Sequence, residues 1–304
     1  MVKKTMSSSV MEKIRDLLSL TKPLQTFLLM VTMYGAYLAA GGSDLRTAIL
    51  LSISGFAGIG GTTMLNMLLE RDIDSVMERT ASRPLPSKRL TVPETSLVAI
   101  TLIVIGIISG YAINPYVAMT VFLGTYFDVI IYTNIVKRRT PANIVLGGVA
   151  GGMPALGGWS AAVGGFTFPG ILLAFAVMLW IPLHIWILAY YLKNQYIKAQ
   201  IPQFPILAGP QVTSAMIRAS LILLVADVFL FTITQGYGIL SLVSTTILVA
   251  RVFRKLIIFS QNPDSSLAFK IYKMAGPVIG ALFIFLPIDY HLQELESSIL
   301  TFLR

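Results

Sequence analysis

The residues best suited to chemistry follow the second apolar stretch of the chain, between Asn66 and Arg89. Asn66, Glu70 and Asp74 are spaced four apart, and because four residues turn a helix through about 400°, the three line one helix face. Asp72 falls on a different face of a straight helix. Two carboxylates and an amide provide the oxygen ligands that a hard divalent cation takes and shares with phosphates. The spacing therefore predicts a cation site at the mouth of a membrane helix.

Basic side chains surround these acids. Arg79 and Arg83 follow them directly, and guanidinium groups match the oxygens of a polyanionic ligand such as a phosphate. Lys137 and Arg138 belong to a second basic cluster that faces the same compartment. The alternative interpretation is that a spanning helix ends here in ordinary loop charges. The excess of acids among arginines, the deep position of Asn66 and the rigid proline-containing run at 83–86 favour a functional site.

The composition excludes several classes of protein. The chain has 304 residues, of which 55% are hydrophobic and 12% charged, with a mean hydropathy of +0.77. Soluble domains carry about 25% charged residues, so this is an integral membrane protein. Because cysteine is absent, disulfides, thiolate metal sites and a cysteine nucleophile are excluded. A net charge of +9 would suggest a nucleic-acid partner in a soluble protein, but here it reflects basic cytoplasmic loops, and no nucleic-acid partner is expected.

The elements that position these residues are membrane-spanning helices. A span needs about 20 largely apolar residues, and the chain contains nine such stretches. They predict an all-α, polytopic membrane protein. Residues 23–289 form its nine-helix domain, residues 1–22 a cytoplasmic or interfacial segment, and residues 290–304 a tail. The predicted spans cover 23–41, 46–69, 93–112, 115–133, 142–163, 170–192, 213–234, 237–256 and 271–289.

Lysine and arginine are distributed unequally between the two sides of this predicted bundle. The N-terminus, the loops after the second, fourth, sixth and eighth spans, and the span ends next to these loops carry all of them except Arg46 and Arg304, which lie on the opposite side. Cytoplasmic loops carry such an excess. We therefore expect a multi-pass protein of the cell membrane with a cytoplasmic N-terminus and an external C-terminus. The inner loops are also longer and more irregular, which places the chemistry at the cytoplasmic end.

His184, Asp128 and Asp227 are further ionisable residues within the predicted spans. His184 precedes Lys193 by about two turns, so it lies about 12 Å below the interface. Ionisable residues at such depth are costly and usually face a polar cavity, although a histidine beside tryptophans is also compatible with a satisfied core residue. Asp128 lies near the cytoplasmic end of the fourth span, where it can border a cavity. Asp227 lies nearer mid-membrane, where a hydrogen bond to a neighbouring helix is the expected role.

Three sequence motifs carry a resemblance to a known family. The run N-x3-E-R-D-I-D-x2-M-x-R-T-x2-R-P-L-P, which starts at Asn66, resembles the first acidic motif of the UbiA-type intramembrane prenyltransferases. The R-D-I-D-x2-M-x-R-T form is most similar to the branch that farnesylates protohaem IX, the haem O synthases. So is Y-T-x3-K-R-R-T-x2-N-I-V-x-G-G at 132–148. A third resemblance is W-x3-H-x-W at 180–186, followed by Y-x2-A-x-I-P at 196–202.

The resemblance implies a fold, a reaction and a set of site residues. The fold is a bundle of nine helices around a lipid-accessible cavity whose polar mouth is cytoplasmic. The reaction transfers a farnesyl group from farnesyl diphosphate to a vinyl group of haem B, with Mg²⁺ as cofactor. The resemblance implies that Asn66, Glu70 and Asp74 bind the metal and, with His184, are catalytic. Diphosphate-binding candidates are Arg79, Arg83, Lys137 and Arg138, and further substrate-binding candidates are Asp72, Tyr132, Asn143, Gln195 and Tyr196.

The sequence departs from the family pattern at two positions. The family usually has aspartate where this chain has Glu70, which keeps the charge and lengthens the side chain. Gln195 replaces the aspartate that precedes the tyrosine of the second motif, which removes a carboxylate that would help to hold metal. The replacement affects the expected number of metal ions and the expected rate. Asp72 and Asp128 are the acids available to compensate.

Three alternatives remain open at the level of sequence. The same fold can act on a quinone-type aromatic ring or a glycerol phosphate lipid instead of haem. A secondary transporter is a second possibility, although such proteins tend to have internal repeats and midplane sites, and neither is evident here. A non-catalytic relative that binds lipid or haem is the third, and Gln195 motivates it.

Overall fold

The computed structural model describes residues 2–302, and no described residue lies in a strand. The chain is therefore all-α, as predicted. Its helices, in chain order, are α1 Val2–Leu20, α2 Pro23–Ala39, α3 Leu45–Leu69, α4 Arg71–Val76, α5 Val92–Tyr111, α6 Pro115–Thr125, a π-helix Tyr126–Val136, α7 Asn143–Val163, α8 Phe168–Tyr191, α9 Lys193–Lys198, α10 Phe204–Gln235, α11 Ile239–Gln261 and α12 Ser265–Phe302.

A helix coincides with each predicted span, and seven stretches of the described chain are long and apolar enough to cross a membrane. The protein is thus a multi-pass membrane protein. Helix α2 has 17 residues, and α11 carries three basic residues in its second half. The seven stretches are Leu45–Leu69, Val92–Tyr111, Pro115–Val136, Asn143–Val163, Phe168–Tyr191, Phe204–Gln235 and Ser265–Thr301.

Two helices extend beyond the predicted spans. Helix α12 continues through Phe302, so the described part of the predicted tail 290–304 is helical. Hydropathy falls there, but leucine, glutamine and glutamate remain good helix formers. Helix α10 begins at Phe204 rather than at 213, and it contains a break at Gly209, whose φ of 77° is non-helical. Glycine tolerates this conformation because it has no Cβ.

Helix α3 is held closely by its neighbour α5. A Cβ on Gly61 would lie 2.7 Å from the Ala99 carbonyl oxygen, and a Cβ on Gly106 would lie 2.7 Å from the Gly58 nitrogen. The two backbones therefore approach closely only because both helices carry small residues at the contact. This packing fixes the position of α3, whose last turn carries Asn66.

Apolar side chains of the loop after α4 pack against α1 and α3. Leu85 and Leu90 of this loop are buried in one cluster with Leu20 of α1 and with Met64 and Met67 of α3. Such burial is worth about 1.5–3 kcal/mol for each side chain. The backbone of the loop is thus held against the end of α3, while most of its charged side chains remain exposed.

Candidate functional site

Three polar side chains are buried where α3 ends. Asn66, Glu70 and Asp74 are only 7%, 6% and 4% exposed. Glu70 caps α3 with a φ of −96° and a ψ of 6°, and α4 begins at the next residue. The Asp74 amide still donates to the Glu70 carbonyl oxygen at 2.8 Å, so the helical progression continues across the break. Buried acids are rare unless they are paired, and both acids here have basic partners.

The π-helix Tyr126–Val136 brings a second group of side chains to this point. The Lys137 Nζ pairs with the Glu70 carboxylate and lies 5.1 Å from the centre of the Tyr132 ring. Asn66 Nδ2 donates to Thr133 Oγ1 at 2.7 Å and to Glu70 Oε1 at 3.3 Å. The helix end, the π-helix and the basic cluster are thereby joined in one network.

The charge of Lys137 depends on this network. Burial alone would lower the pKa of Lys137, but the charge of Glu70 and its hydrogen bond outweigh burial, so the pKa is raised. Lys137 is therefore a cation held in a largely buried position. Such a cation is a suitable counter-charge for a phosphate oxygen.

The loop after α4 supplies a second cation. Arg83 Nη1 donates to both oxygens of the Asp74 carboxylate, at 2.9 and 2.7 Å. The loop is fixed beside it, because the buried Thr80 hydroxyl donates to the Asp74 carbonyl oxygen at 2.9 Å. Asp74 and Arg83 are thus held together by both side-chain and backbone contacts.

Arg138 and Asp72 form a separate pair on the protein surface. Two hydrogen bonds of 2.7 Å join them, and their side chains are 45% and 60% exposed. The hydrogen bond from Arg138 lowers the pKa of Asp72. As the spacing predicted, Asp72 lies apart from the buried acids.

The remaining candidates contact the edge of this group. The Arg79 side chain is exposed, and its backbone nitrogen donates to Gln195 Oε1 at 3.4 Å. Tyr196 packs against the apolar cluster of Ile73, Met77 and Ile201. Gln195 thus contacts the loop at the position where the family carries a carboxylate. Another candidate, Asn143, is fully buried, and its Nδ2 donates to the Lys137 carbonyl oxygen at 3.2 Å.

His184 lies in a different contact group. Its ring stacks on Trp180, with centroids 4.8 Å apart, and packs against Tyr272 of α12 at 5.0 Å. Within the described residues, its Nδ1 has no hydrogen-bond partner, and no hydrogen bond or ion pair joins it to the buried acids. Sequence gives the depth of a helical residue but not the direction in which its side chain faces.

Lys22 lies near this site, although none of the three sequence motifs includes it. It lies between α1 and α2 in the left-handed conformation, with a φ of 45°, which costs about 1–2 kcal/mol for a non-glycine residue. Burial, and next the charge of Arg83, lower the pKa of Lys22, while the charge of Glu70 acts in the opposite direction. Its ammonium group therefore lies within electrostatic range of both. The sequence signal that was available is a lysine directly before the proline that begins a span.

The donor set fits a hard divalent cation that shares substrate oxygens. Among the described residues there is no group of three histidine or carboxylate side chains arranged as a metal site. Mg²⁺ needs only one or two carboxylates when substrate phosphates and water complete its octahedron. Glu70 and Asp74 would supply two, and the amide oxygen of Asn66 would be a third protein donor. The residues present are thus sufficient for Mg²⁺ bound together with a diphosphate.

Comparison by sequence finds one matching family and many similar proteins. The model of the UbiA prenyltransferase family matches residues 28–277. A protoheme IX farnesyltransferase from Aeropyrum pernix is 47% identical over 283 residues, which cover 93% of this chain and 94% of that protein. The protoheme IX farnesyltransferases of Archaeoglobus fulgidus and Korarchaeum cryptofilum are 41% and 39% identical, over 90% and 94% of this chain and 97% of each relative.

Comparison of structures finds the same fold in proteins of lower sequence identity. A digeranylgeranylglyceryl phosphate synthase superposes with a TM-score of 0.76 at 19% identity, over 92% of this chain and 99% of that one. A UbiA homologue from Aeropyrum pernix has a TM-score of 0.69 at 22% identity, over 86% and 97% of the two chains. A UbiA homologue from Archaeoglobus fulgidus, solved with GPP and Mg²⁺, has a TM-score of 0.61 at 16% identity, over 90% and 99%.

Proposed function

Because the chain belongs to the UbiA prenyltransferase family, we propose that it transfers a farnesyl group from farnesyl diphosphate to a vinyl group of haem B, giving haem O. The predicted family membership is confirmed. Its relatives at 39–47% identity over at least 90% of the chain are protoheme IX farnesyltransferases, which supports haem as the acceptor. In the reaction, the C1–O bond of the farnesyl diphosphate breaks, a carbon–carbon bond forms to the vinyl group, and water supplies the hydroxyl group and releases a proton.

One observation carries the proposal for the donor half of the reaction. Two buried carboxylates, Glu70 and Asp74, are each paired with a cation, Lys137 and Arg83. A metal-bound diphosphate can replace both pairings at once, because carboxylates bind the metal while cations bind phosphate oxygens. The geometry thus supports a site in which two ion pairs open and their four charges are redistributed around the ligand.

This exchange explains why metal and diphosphate should bind together. Diphosphate without metal would leave two buried carboxylates without partners, and metal without diphosphate would leave Lys137 and Arg83 without partners. When bound, Mg²⁺ supplies positive charge that stabilises the negative charge developing on the leaving diphosphate. The positive side chains of Lys137, Arg83 and the nearby Lys22 further stabilise this negative charge in a site partly shielded from water. A UbiA homologue of the same fold, solved with GPP and Mg²⁺, supports this assignment.

We propose the acceptor half at His184. Its ring packs against Trp180 and Tyr272, and flat aromatic surfaces of this kind suit the flat macrocycle of haem. The other predicted substrate-binding residues would then line or support the region between the loop after α4 and the neighbouring helices. These residues are Arg79, Arg138, Asp72, Tyr132, Asn143, Gln195 and Tyr196. The proposed arrangement also includes nine crossing helices within residues 23–289, a cavity open to lipid with a cytoplasmic mouth, a cytoplasmic N-terminus and an external C-terminus.

Product analysis with competing acceptors tests the proposal. The full chain in detergent or nanodiscs is incubated with farnesyl diphosphate, Mg²⁺ and either haem B, a quinone precursor or a glycerol phosphate lipid. We expect mass spectrometry to find one farnesyl unit plus water added to haem, and nothing added to the other acceptors. Prenylation of the quinone precursor or the lipid in place of haem would overturn the acceptor assignment while leaving the fold assignment intact.

A further inference from the structure

We infer that Thr133 is a positioning residue that orients the Asn66 amide so that its oxygen, Oδ1, is presented as a metal ligand. The inference rests on the proposed function, because it concerns the metal site of that reaction. It adds a residue that does not itself touch metal or substrate. Thr133 is buried, only 5% exposed, and it lies on the π-helix rather than on α3.

The first step of the argument concerns the hydroxyl proton of Thr133. Its Oγ1 donates to the Asp128 carbonyl oxygen at 2.8 Å, five residues earlier in the chain. Elsewhere in this chain, Thr120 and Thr125 donate to carbonyl oxygens three and four residues earlier, as is usual in α-helices. The five-residue reach of Thr133 matches the wider spacing of the π-helix, a form that is frequent at functional sites.

The second step follows from the chemistry of a hydroxyl group. A threonine hydroxyl has one proton and two acceptor lone pairs. Because its proton is engaged by Asp128, Thr133 can only accept from Asn66. The group of Asn66 at 2.7 Å must therefore be the NH₂ group of the amide, Nδ2.

The third step concerns the second contact of the same NH₂ group. Asn66 Nδ2 also lies 3.3 Å from Glu70 Oε1. A flipped amide would place its oxygen against the Glu70 carboxylate and against the lone pairs of Thr133, which are two contacts between acceptors. Both contacts favour the same orientation. Within the described residues nothing donates a hydrogen bond to Asn66 Oδ1, so this oxygen is the donor atom that the network leaves for a cation.

The alternative is that Thr133 only ties the π-helix to α3. That role would affect stability, but it would not affect metal affinity selectively. Side chains that orient metal ligands typically change metal affinity about 10- to 100-fold when they are removed. A direct measurement of metal binding therefore separates the two roles.

The test measures Mn²⁺ affinity of the purified full chain by electron paramagnetic resonance in the presence of inorganic diphosphate. We expect Thr133→Val to weaken Mn²⁺ binding about 10- to 100-fold, and Thr133→Ser, which keeps the hydroxyl, to restore it to within about threefold. Thr120→Val is the matched control, because Thr120 is equally buried and its hydroxyl bonds to the Val117 carbonyl oxygen of its own helix.

Several outcomes would overturn the inference. These are wild-type Mn²⁺ affinity in Thr133→Val, failure of Thr133→Ser to restore binding, or an equal loss in Thr120→Val. If Thr133→Val fails to fold, Thr133→Ala, which lacks the hydroxyl and fits the same space, replaces it. A wild-type chain that farnesylates haem while Thr133→Val binds Mn²⁺ normally would refute the role of Thr133 alone. A wild-type chain that binds no Mn²⁺ would refute the proposed metal site, and the role of Thr133 with it.

Discussion

Breaking the Glu70–Lys137 ion pair should destabilise the protein far more than breaking the neighbouring Asp72–Arg138 pair. The side chains of Lys137 and Glu70 are 11% and 8% exposed, whereas those of Arg138 and Asp72 are 45% and 60% exposed. Removal of one partner of a buried pair leaves an uncompensated charge and costs about 3–5 kcal/mol. An exposed pair contributes about 0–1 kcal/mol. Adjacent residues thus provide a perturbation and its control.

The experiment compares Lys137→Met with Arg138→Met in reversible unfolding of the detergent-solubilised chain. We expect Lys137→Met to lower the free energy of unfolding by about 3–5 kcal/mol and Arg138→Met by at most about 1 kcal/mol. Adding Glu70→Gln to Lys137→Met should recover most of the loss, because no buried charge then remains without a partner. The double variant should still fail to bind diphosphate.

The pH of the measurement follows from the pKa of Lys137. Glu70 raises this pKa above its value in the unfolded chain, so the contribution of the pair is complete below about pH 10.4 and is lost as the pH rises through the folded pKa. Measurements at pH 7 therefore report the charged pair. Equal stability of Lys137→Met and wild type would refute a buried ion pair here, and full turnover by the stable double variant would refute its role in the site.

Three other predictions concern single residues. Asp74→Asn should lower the rate of diphosphate release at least about 100-fold, because the proposed metal site loses one of its two carboxylates; steady-state assays with farnesyl diphosphate and haem measure this. Lys22→Met should lower kcat/KM for farnesyl diphosphate about 10- to 100-fold through loss of one charge-assisted contact, and an unchanged value would exclude Lys22 from the site. His184→Ala should raise the Kd for haem about 10-fold and leave diphosphate affinity unchanged, and isothermal titration with each ligand measures both.

Helical spacing was sufficient to group the buried acids. The four-residue steps from Asn66 to Asp74 predicted a common face, and all three residues are buried together where α3 meets α4. Spacing also separated Asp72 from them. These predictions succeed because the geometry within one helix follows from its pitch and needs no knowledge of neighbouring helices.

Features that depend on tertiary packing were not predictable in this way. The π-helix carrying Thr133 has an ordinary apolar sequence, which predicts neither its five-residue hydrogen bond nor its contact with Asn66. The direction of His184 depends on the rotation of α8, which a fully apolar helix does not encode in its pattern. The sequence also does not show that Lys22 adopts a left-handed backbone conformation before α2 and lies near Glu70 and Arg83.

The Glu70–Lys137 and Asp74–Arg83 pairs connect the fold to the proposed reaction. Each pair is formed between separate segments, so the site is assembled only when α3, the π-helix and the loop after α4 are all in place. The same contacts that satisfy the buried charges in the ligand-free protein therefore hold the groups that the diphosphate requires.

The most direct test of the central claim counts both products of one reaction. Purified chain receives farnesyl diphosphate, Mg²⁺ and haem B, and released diphosphate and farnesylated haem are quantified in the same sample, with Asp74→Asn in parallel. We predict one diphosphate for each haem O formed, and neither product from Asp74→Asn. Farnesylated haem formed at the wild-type rate by Asp74→Asn would contradict the account.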